Sequence, residues 1–210
     1  LALGPASADD AKKVRVVIID GQHNHAWRVT TPYLKRMLEK TGRFDVQVSS
    51  NLKKGDKPGL VEKTVPFPPD LGGYDVVVSN YNGAAWPKEF KKAFEERLRE
   101  GKLGFVLFHA ANNCFADWPE FNRMAGMAWR NSKFGDRIYY DGDGKLVRQP
   151  KGEGLNTGET YHPFAVNLRE PEHPIVKGMP KQWMHARDQL MFSLRGPIKD
   201  VAVLASSPCP

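Results

Sequence analysis

The sequence predicts an α/β fold, a doubly wound, mostly parallel sheet of flavodoxin-like plan. Three observations carry this. Short β-branched or aromatic runs recur along the first half of the chain. Helical patterns with stop signals lie between them. Several of the runs end in polar residues, where an open α/β sheet forms its ligand crevice.

The first run, residues 14–19 (Val-Arg-Val-Val-Ile-Ile), ends at Asp20-Gly21 and reads as a strand buried on both faces. Thr30 or Thr31 before Pro32 reads as an N-cap with proline at the first helical position. Tyr33, Leu34, Met37 and Leu38 then form one helical face, and Gly42 is placed to end the helix. Residues 44–48 alternate as a second strand, and residues 51–73, rich in Lys, Gly and Pro, read as a long loop. Residues 74–78 are a third strand, leaving into Asn80-Tyr81-Asn82-Gly83. Residues 87–100 form a helix with Phe90, Ala93, Phe94, Arg97 and Leu98 at helical spacing and Gly101 as its stop. Residues 103–108 are a fourth buried strand, running into His109-Ala110-Ala111-Asn112-Asn113. Residues 131–160 are polar and glycine-rich, an excursion from the sheet that turns at Asp141-Gly142-Asp143-Gly144. Residues 165–168 and 201–204 are later strands.

Composition narrows the class. A chain of 210 residues with 40% hydrophobic and 26% charged residues suits one globular domain with tails. Two cysteines exclude a disulfide scaffold and a four-cysteine zinc site. No apolar run approaches the ~18 residues of a membrane helix. The net charge of +7 and pI near 9.4 raise the question of nucleic acid. Lys12-Lys13, Lys53-Lys54 and Lys91-Lys92 are scattered, without interleaved aromatics, so no nucleic-acid partner is expected. Residues 1–8 read as a signal-peptide remnant or a disordered tail, because Ala6 and Ala8 flank Ser7 in the small-residue pattern of a cleavage site. The remainder, residues 9–210, then forms one periplasmic or secreted domain. Cys114 and Cys209 could pair in such a compartment. The apolar residues 201–205 followed by a short loop predict further strands beyond Pro210.

The strand ends hold the candidate chemistry. Side-by-side strands would bring His25, Asn82, His109 and Asn112 to one edge. His185 and Asp188 are three apart and would share a face of a helical turn. His173-Pro174 reads as a turn. Trp27, Trp86, Trp118, Trp129 and Trp183 fall mostly in or beside these loops, either as rings for sugar faces or as caps on the core. The elbow at residues 108–112 has no Cys, Ser or Thr, and Cys114 lies too far along, which disfavours a covalent cysteine mechanism. Neither a Gly-x-Gly-x-x-Gly nor a Walker motif is present.

Five segments, taken in order, resemble a known family. They are Asp20-Gly21-Gln22-His23-Asn24-His25-Ala26-Trp27 with Thr30-Thr31-Pro32-Tyr33-Leu34; Tyr74-Asp75-Val76-Val77-Val78-Ser79-Asn80-Tyr81-Asn82-Gly83; Phe108-His109-Ala110-Ala111-Asn112-Asn113 with Trp118-Pro119-Glu120-Phe121; His173-Pro174-Ile175 with Gly178-Met179-Pro180; and His185-Ala186-Arg187-Asp188-Gln189-Leu190. Together they resemble the ThuA-like (trehalose-utilisation) domains over about residues 14–207. The resemblance implies a class I glutamine-amidotransferase-like fold without that family's nucleophile. It implies work on sugars, with glycosides oxidised to 3-keto forms by a partner oxidoreductase. It carries His25, His109, His162 and His185 as catalytic candidates, and Asn24, Trp27, Asn82, Asn112, Trp118 and Asp188 as substrate-binding candidates. His25, His109 and His162 are the candidates to hold a divalent metal such as Zn²⁺. Ala26 departs from the acidic residue that relatives often carry before Trp27, and the family's last segment, with its Gly-Arg-His-Glu-Pro-like stretch, is not in this sequence.

The chemistry is coherent. A ketone at sugar C3 acidifies the C2 proton, and the glycosidic oxygen at C1 can then leave. His supplies a base and an acid near neutral pH, while Asn or a metal stabilises the enolate. The alternative is a non-catalytic carbohydrate-binding module of an exported protein.

Overall fold

A computed structural model describes residues 12–208. The signal-peptide reading of residues 1–8 and any pairing through Cys209 lie outside the described residues. The chain divides into two compact units, Leu1–Cys114 and Phe115–Pro210.

The first unit is built on a four-stranded parallel sheet. Its strands are β1 (Val14–Gly21), β2 (Phe44–Ser50), β3 (Val76–Tyr81) and β4 (Gly104–Leu107), in the order β2-β1-β3-β4. Val16, Ile18, Val46, Val48 and Val78 pack with Leu34 of α1 (Trp27–Glu39). Val17, Ile19 and Val77 point to the other face by strand alternation, and all three have no exposure. There Phe105, the register partner of Val77, meets Phe94 of α2 (Lys88–Arg99) at 5.0 Å between ring centroids. Phe94 in turn meets Trp86 at 5.6 Å. Helices therefore cover both faces, which is why β1 is apolar without alternation.

Three expectations are corrected in this unit. The first helix starts at Trp27, not after Thr31, so Pro32 lies inside it. Thr30 and Thr31 do not cap; their hydroxyls both accept from Asn80 Nδ2, at 2.9 and 3.0 Å, tying α1 to β3. The buried side of α1 is Trp27, Thr31 and Leu34, whereas Tyr33 and Met37 are exposed. Third, β4 ends the sheet among the described residues and leaves Val106 exposed, so the fourth strand is an edge rather than a buried strand. Residues 51–73 are largely irregular, as expected, with one bridge from Ser49 to Val65 and a 3-10 turn at Leu71–Gly73.

The second unit contains α3 (Pro119–Ala125) and two antiparallel arrangements. The glycine-rich excursion folds as a hairpin of β5 (Arg137–Tyr140) and β6 (Leu146–Gln149). Its turn is held by Gly144 N–H donating to the Asp141 carbonyl at 3.0 Å and Lys145 N–H donating to Asp141 Oδ1 at 2.9 Å. β7 (Gly158–Leu168), β8 (Gln182–Phe192) and β9 (Ala205–Ser206) form a sheet in the order β8-β7-β9. Residues 201–204 are not a strand; pairing begins only at Ala205, which lies opposite Leu168. The residues around His185 are not a helical turn but the middle of β8.

Candidate functional site

The turn after β1 begins with Gly21 at φ +113°, a conformation open to glycine. A Cβ at Gly21 would run into the Asn51 carbonyl, so β1 can pass this close to the end of β2 only without a side chain. Gln22 follows at φ +52°, its amide accepting from Ala84 N–H at 3.1 Å and donating to the Asn51 carbonyl at 3.3 Å. His109, two residues past the end of β4, also has a positive φ of +51°. Non-glycine residues in this region cost conformational energy and cluster at functional sites.

These turns bring His25 and His109 together. Their ring centroids are 4.6 Å apart and nearly perpendicular, at 80°. His23 lies 5.3 Å from His25. It accepts the His25 backbone N–H on Nδ1 at 2.9 Å. Burial pushes the His23 imidazole down to about 4, with further lowering from the charges of His25 and His109. Alongside, Asn82 Nδ2 donates to Asn24 Oδ1 at 3.0 Å, and Asn112 Nδ2 donates to the His109 carbonyl at 3.1 Å. Asp20, at the end of β1, is buried and accepts from Ser50 Oγ at 2.6 Å. Burial raises its carboxyl to about 6, against the lowering effect of its Ser50 and Thr31 hydrogen bonds and of Arg28.

The expected edge is thus assembled from His25, Asn82, His109 and Asn112, with Asn24 beside Asn82. Sequence reasoning passed over His23 and Asp20. Their signal was present: Asp20 closes an apolar run, and His23 stands two residues before His25. An open cleft of about 570 Å³ lies at the opposite, amino-terminal edge, lined by Arg15, Asp45, Gln47 and Tyr74 among others, and has no histidine.

The aromatic candidates move into the core. Trp27 is 2% exposed and Trp118 is 6% exposed, so neither offers an open ring face for a sugar. The Arg28 guanidinium lies 4.3 Å from the centre of the Trp27 ring, and Trp118 stacks on Phe121 at 5.8 Å. Cys114 is buried; its Sγ donates to the Tyr81 carbonyl at 3.1 Å and to Asn82 Oδ1 at 3.4 Å. That is the setting of a protonated structural thiol rather than a nucleophile.

His162, His185 and Asp188 lie on the β7–β8 pair of the second unit. Between His162 and Phe164 the register shifts, and one residue of β7, Pro163, opposes two of β8, Ala186 and Arg187. Pro163 sits in the shift and has no N–H for the ladder. The extra residue of this bulge brings His185 to the side of His162 and its partner Asp188. The Phe164 ring stacks on His185 at 4.8 Å and meets His162 at 6.1 Å. So His185 and Asp188 share a face through a bulged strand, not a helical turn. His162 Nδ1 contacts the Pro163 carbonyl at 2.7 Å, and His185 Nδ1 contacts the Ala186 carbonyl at 2.9 Å. A carbonyl only accepts, so each Nδ1 carries a proton. His173 and Pro174 form the expected turn, with His173 Nδ1 accepting from Ile175 N–H at 3.3 Å. Among the described residues no three His, Cys, Asp or Glu side chains are grouped to hold a metal ion.

Comparisons with known proteins bear on the family and the fold. No curated protein matches the chain. A ThuA-like protein from Parabacteroides merdae, known from its crystal structure, is 36% identical, with a TM-score of 0.81 over 93% of this chain and 68% of its own. A ThuA-like protein from Bacteroides uniformis is 20% identical, with a TM-score of 0.56 over 96% of this chain and 71% of its own, a likeness of fold. The family model described as ThuA, trehalose utilisation, matches residues 15–209, and the chain belongs to that family.

Proposed function

We propose that this domain is a sugar-active enzyme that cleaves 3-keto-glycosides. The observation that carries the reading is the His25–His109 contact at 4.6 Å, at the carboxyl ends of β1 and β4. In the proposed step one ring works neutral, as the base, and the other charged, as the acid. The neutral ring takes the C2 proton, and the C3 carbonyl oxygen becomes an enolate. The C1–O bond then breaks, the departing oxygen receives a proton from the charged ring, and a 1,2-unsaturated ketone forms. Water adding at C1 completes a net hydrolysis. A partner oxidoreductase must supply the ketone, and the small-residue motif at residues 6–8 supports export of the domain.

His109→Ala is expected to abolish exchange of the C2 proton and release of the aglycone from a methyl 3-keto-glucoside, followed by proton NMR in D2O. The thermal midpoint should shift only a few degrees, because His109 is only half-buried. Turnover unchanged by this substitution rejects the assignment. Tight binding of unoxidised glycans without product favours the non-catalytic binding module.

A further inference from the structure

Of the six histidines only His23 is buried, at 8% exposure. The family resemblance does not carry it into the site. A backbone N–H can only donate, so the bond from His25 N–H makes His23 Nδ1 a bare acceptor and leaves the ring proton on Nε2. Nε2 is itself buried and has no partner among the described residues. A buried donor without an acceptor costs free energy. The turn that carries it is fixed just before the histidine, by the close approach of Gly21 to Asn51 and by the two hydrogen bonds of the Gln22 amide. The amide nitrogens of Asn82 and Asn112 already donate within the chain.

We propose that His23 is a positioning residue of this site, its Nδ1 fixing His25 beside His109 and its Nε2–H donating to an oxygen of the bound ligand. The donor role rests on the keto-glycoside reading; the positioning of His25 does not. An uncharged imidazole suits a carbonyl oxygen that gains negative charge as an enolate forms, because it holds that oxygen by a hydrogen bond without surrendering its proton.

Three variants separate the roles. In His23→Asn the side-chain oxygen stands at the Nδ1 position and takes the His25 N–H, as in an Asx turn, and nothing replaces Nε2. In His23→Gln the amide nitrogen reaches the Nε2 position. His23→Phe removes both groups. Long-range proton–nitrogen spectra of the wild type near pH 7 are expected to show His23 protonated at Nε2 only; a proton on Nδ1 overturns the proposal. The His25–His109 ring contact, read as a nuclear Overhauser effect, should survive in His23→Asn and vanish in His23→Phe. Its persistence in His23→Phe overturns the positioning role; if that variant does not fold, the tautomer and the Asn variant decide. For the ligand oxygen, a methyl 3-keto-glucoside is titrated by calorimetry. His23→Asn should bind about tenfold more weakly, the loss of one hydrogen bond, with partial recovery in His23→Gln. Equal affinity in His23→Asn overturns the donor role. A wild type that does not bind this probe overturns the keto-glycoside reading and the donor role with it, and the spectra still decide the positioning.

Discussion

Asp20 and His23 are shifted in opposite senses by the same cause, removal from water, and their effects on stability oppose each other. The folded state holds a proton on Asp20 up to about pH 6, against an ordinary value of 3.8. Folding therefore loses stability from Asp20 as pH rises from about 4 to about 6. The folded state keeps His23 unprotonated down to about pH 4, against 6.5. Folding therefore loses stability from His23 as pH falls from 6.5 to about 4. Each shift of about two units corresponds to about 3 kcal/mol, so the two slopes nearly cancel in the wild type. Asp20→Asn should leave a protein whose stability rises with pH between 4 and 6, and His23→Asn one whose stability falls. Urea unfolding at half-unit pH steps reads both slopes; parallel curves for the two variants contradict the assignment. Cys114 offers a second check at this scale. Its buried thiol, bonded to the Tyr81 carbonyl, should resist iodoacetamide in the native state and react only on unfolding, as read by peptide mass mapping. The sequence displayed His25 and His109 because they follow strand runs. It hid the tautomers and the shifted pKa values, which depend on burial and on partners distant in the chain.

Among the elements, α1 shows where local rules mislead. Thr31-Pro32 has the form of a helix start, but Trp27 seeks the core and draws the helix back by a turn. Thr30 and Thr31 are then occupied by Asn80, a contact across 50 and 49 residues that no local pattern reveals. Pro32 is left inside the helix, where the Arg28 carbonyl has no N–H partner from that position. Pro32→Ala restores the donor, at some cost in unfolded-chain entropy, and should stabilise the fold by about 1–2 kcal/mol. Had the helix begun at Thr31, the proline would occupy a position that favours it, and the substitution would be neutral or destabilising. Urea midpoints of the two proteins separate these outcomes. β8 was illegible for a related reason. Ala186 and Arg187 favour helix, and only pairing with β7 and the bulge at Pro163 make the segment a strand.

At the scale of the whole molecule, the parallel sheet was readable because strands covered on both faces carry continuous apolar runs, as residues 16–19 of β1 and 76–78 of β3 do. The second unit was less readable, since its strands pair antiparallel, carry polar residues and change register. Net charge is the remaining property of the whole chain. Lys and Arg exceed Asp and Glu by 31 to 24, yet the cations are interspersed with acids. On α2, Lys88, Lys91, Lys92, Arg97 and Arg99 share the helix with Glu89, Glu95 and Glu96. Elsewhere Arg15 pairs with Asp75, Lys35 with Glu39, Arg123 with Glu120 and Arg148 with Asp136. Binding to nucleic acid needs several cations aligned on phosphates, each releasing a counterion, and dispersed pairs release few. A fluorescent DNA duplex should therefore show no binding tighter than about 100 μM at 150 mM salt, the weak end of non-specific association. A dissociation constant near 1 μM, rising steeply with added salt, would mean that the folded chain gathers its cations into a surface that their spacing along the sequence conceals.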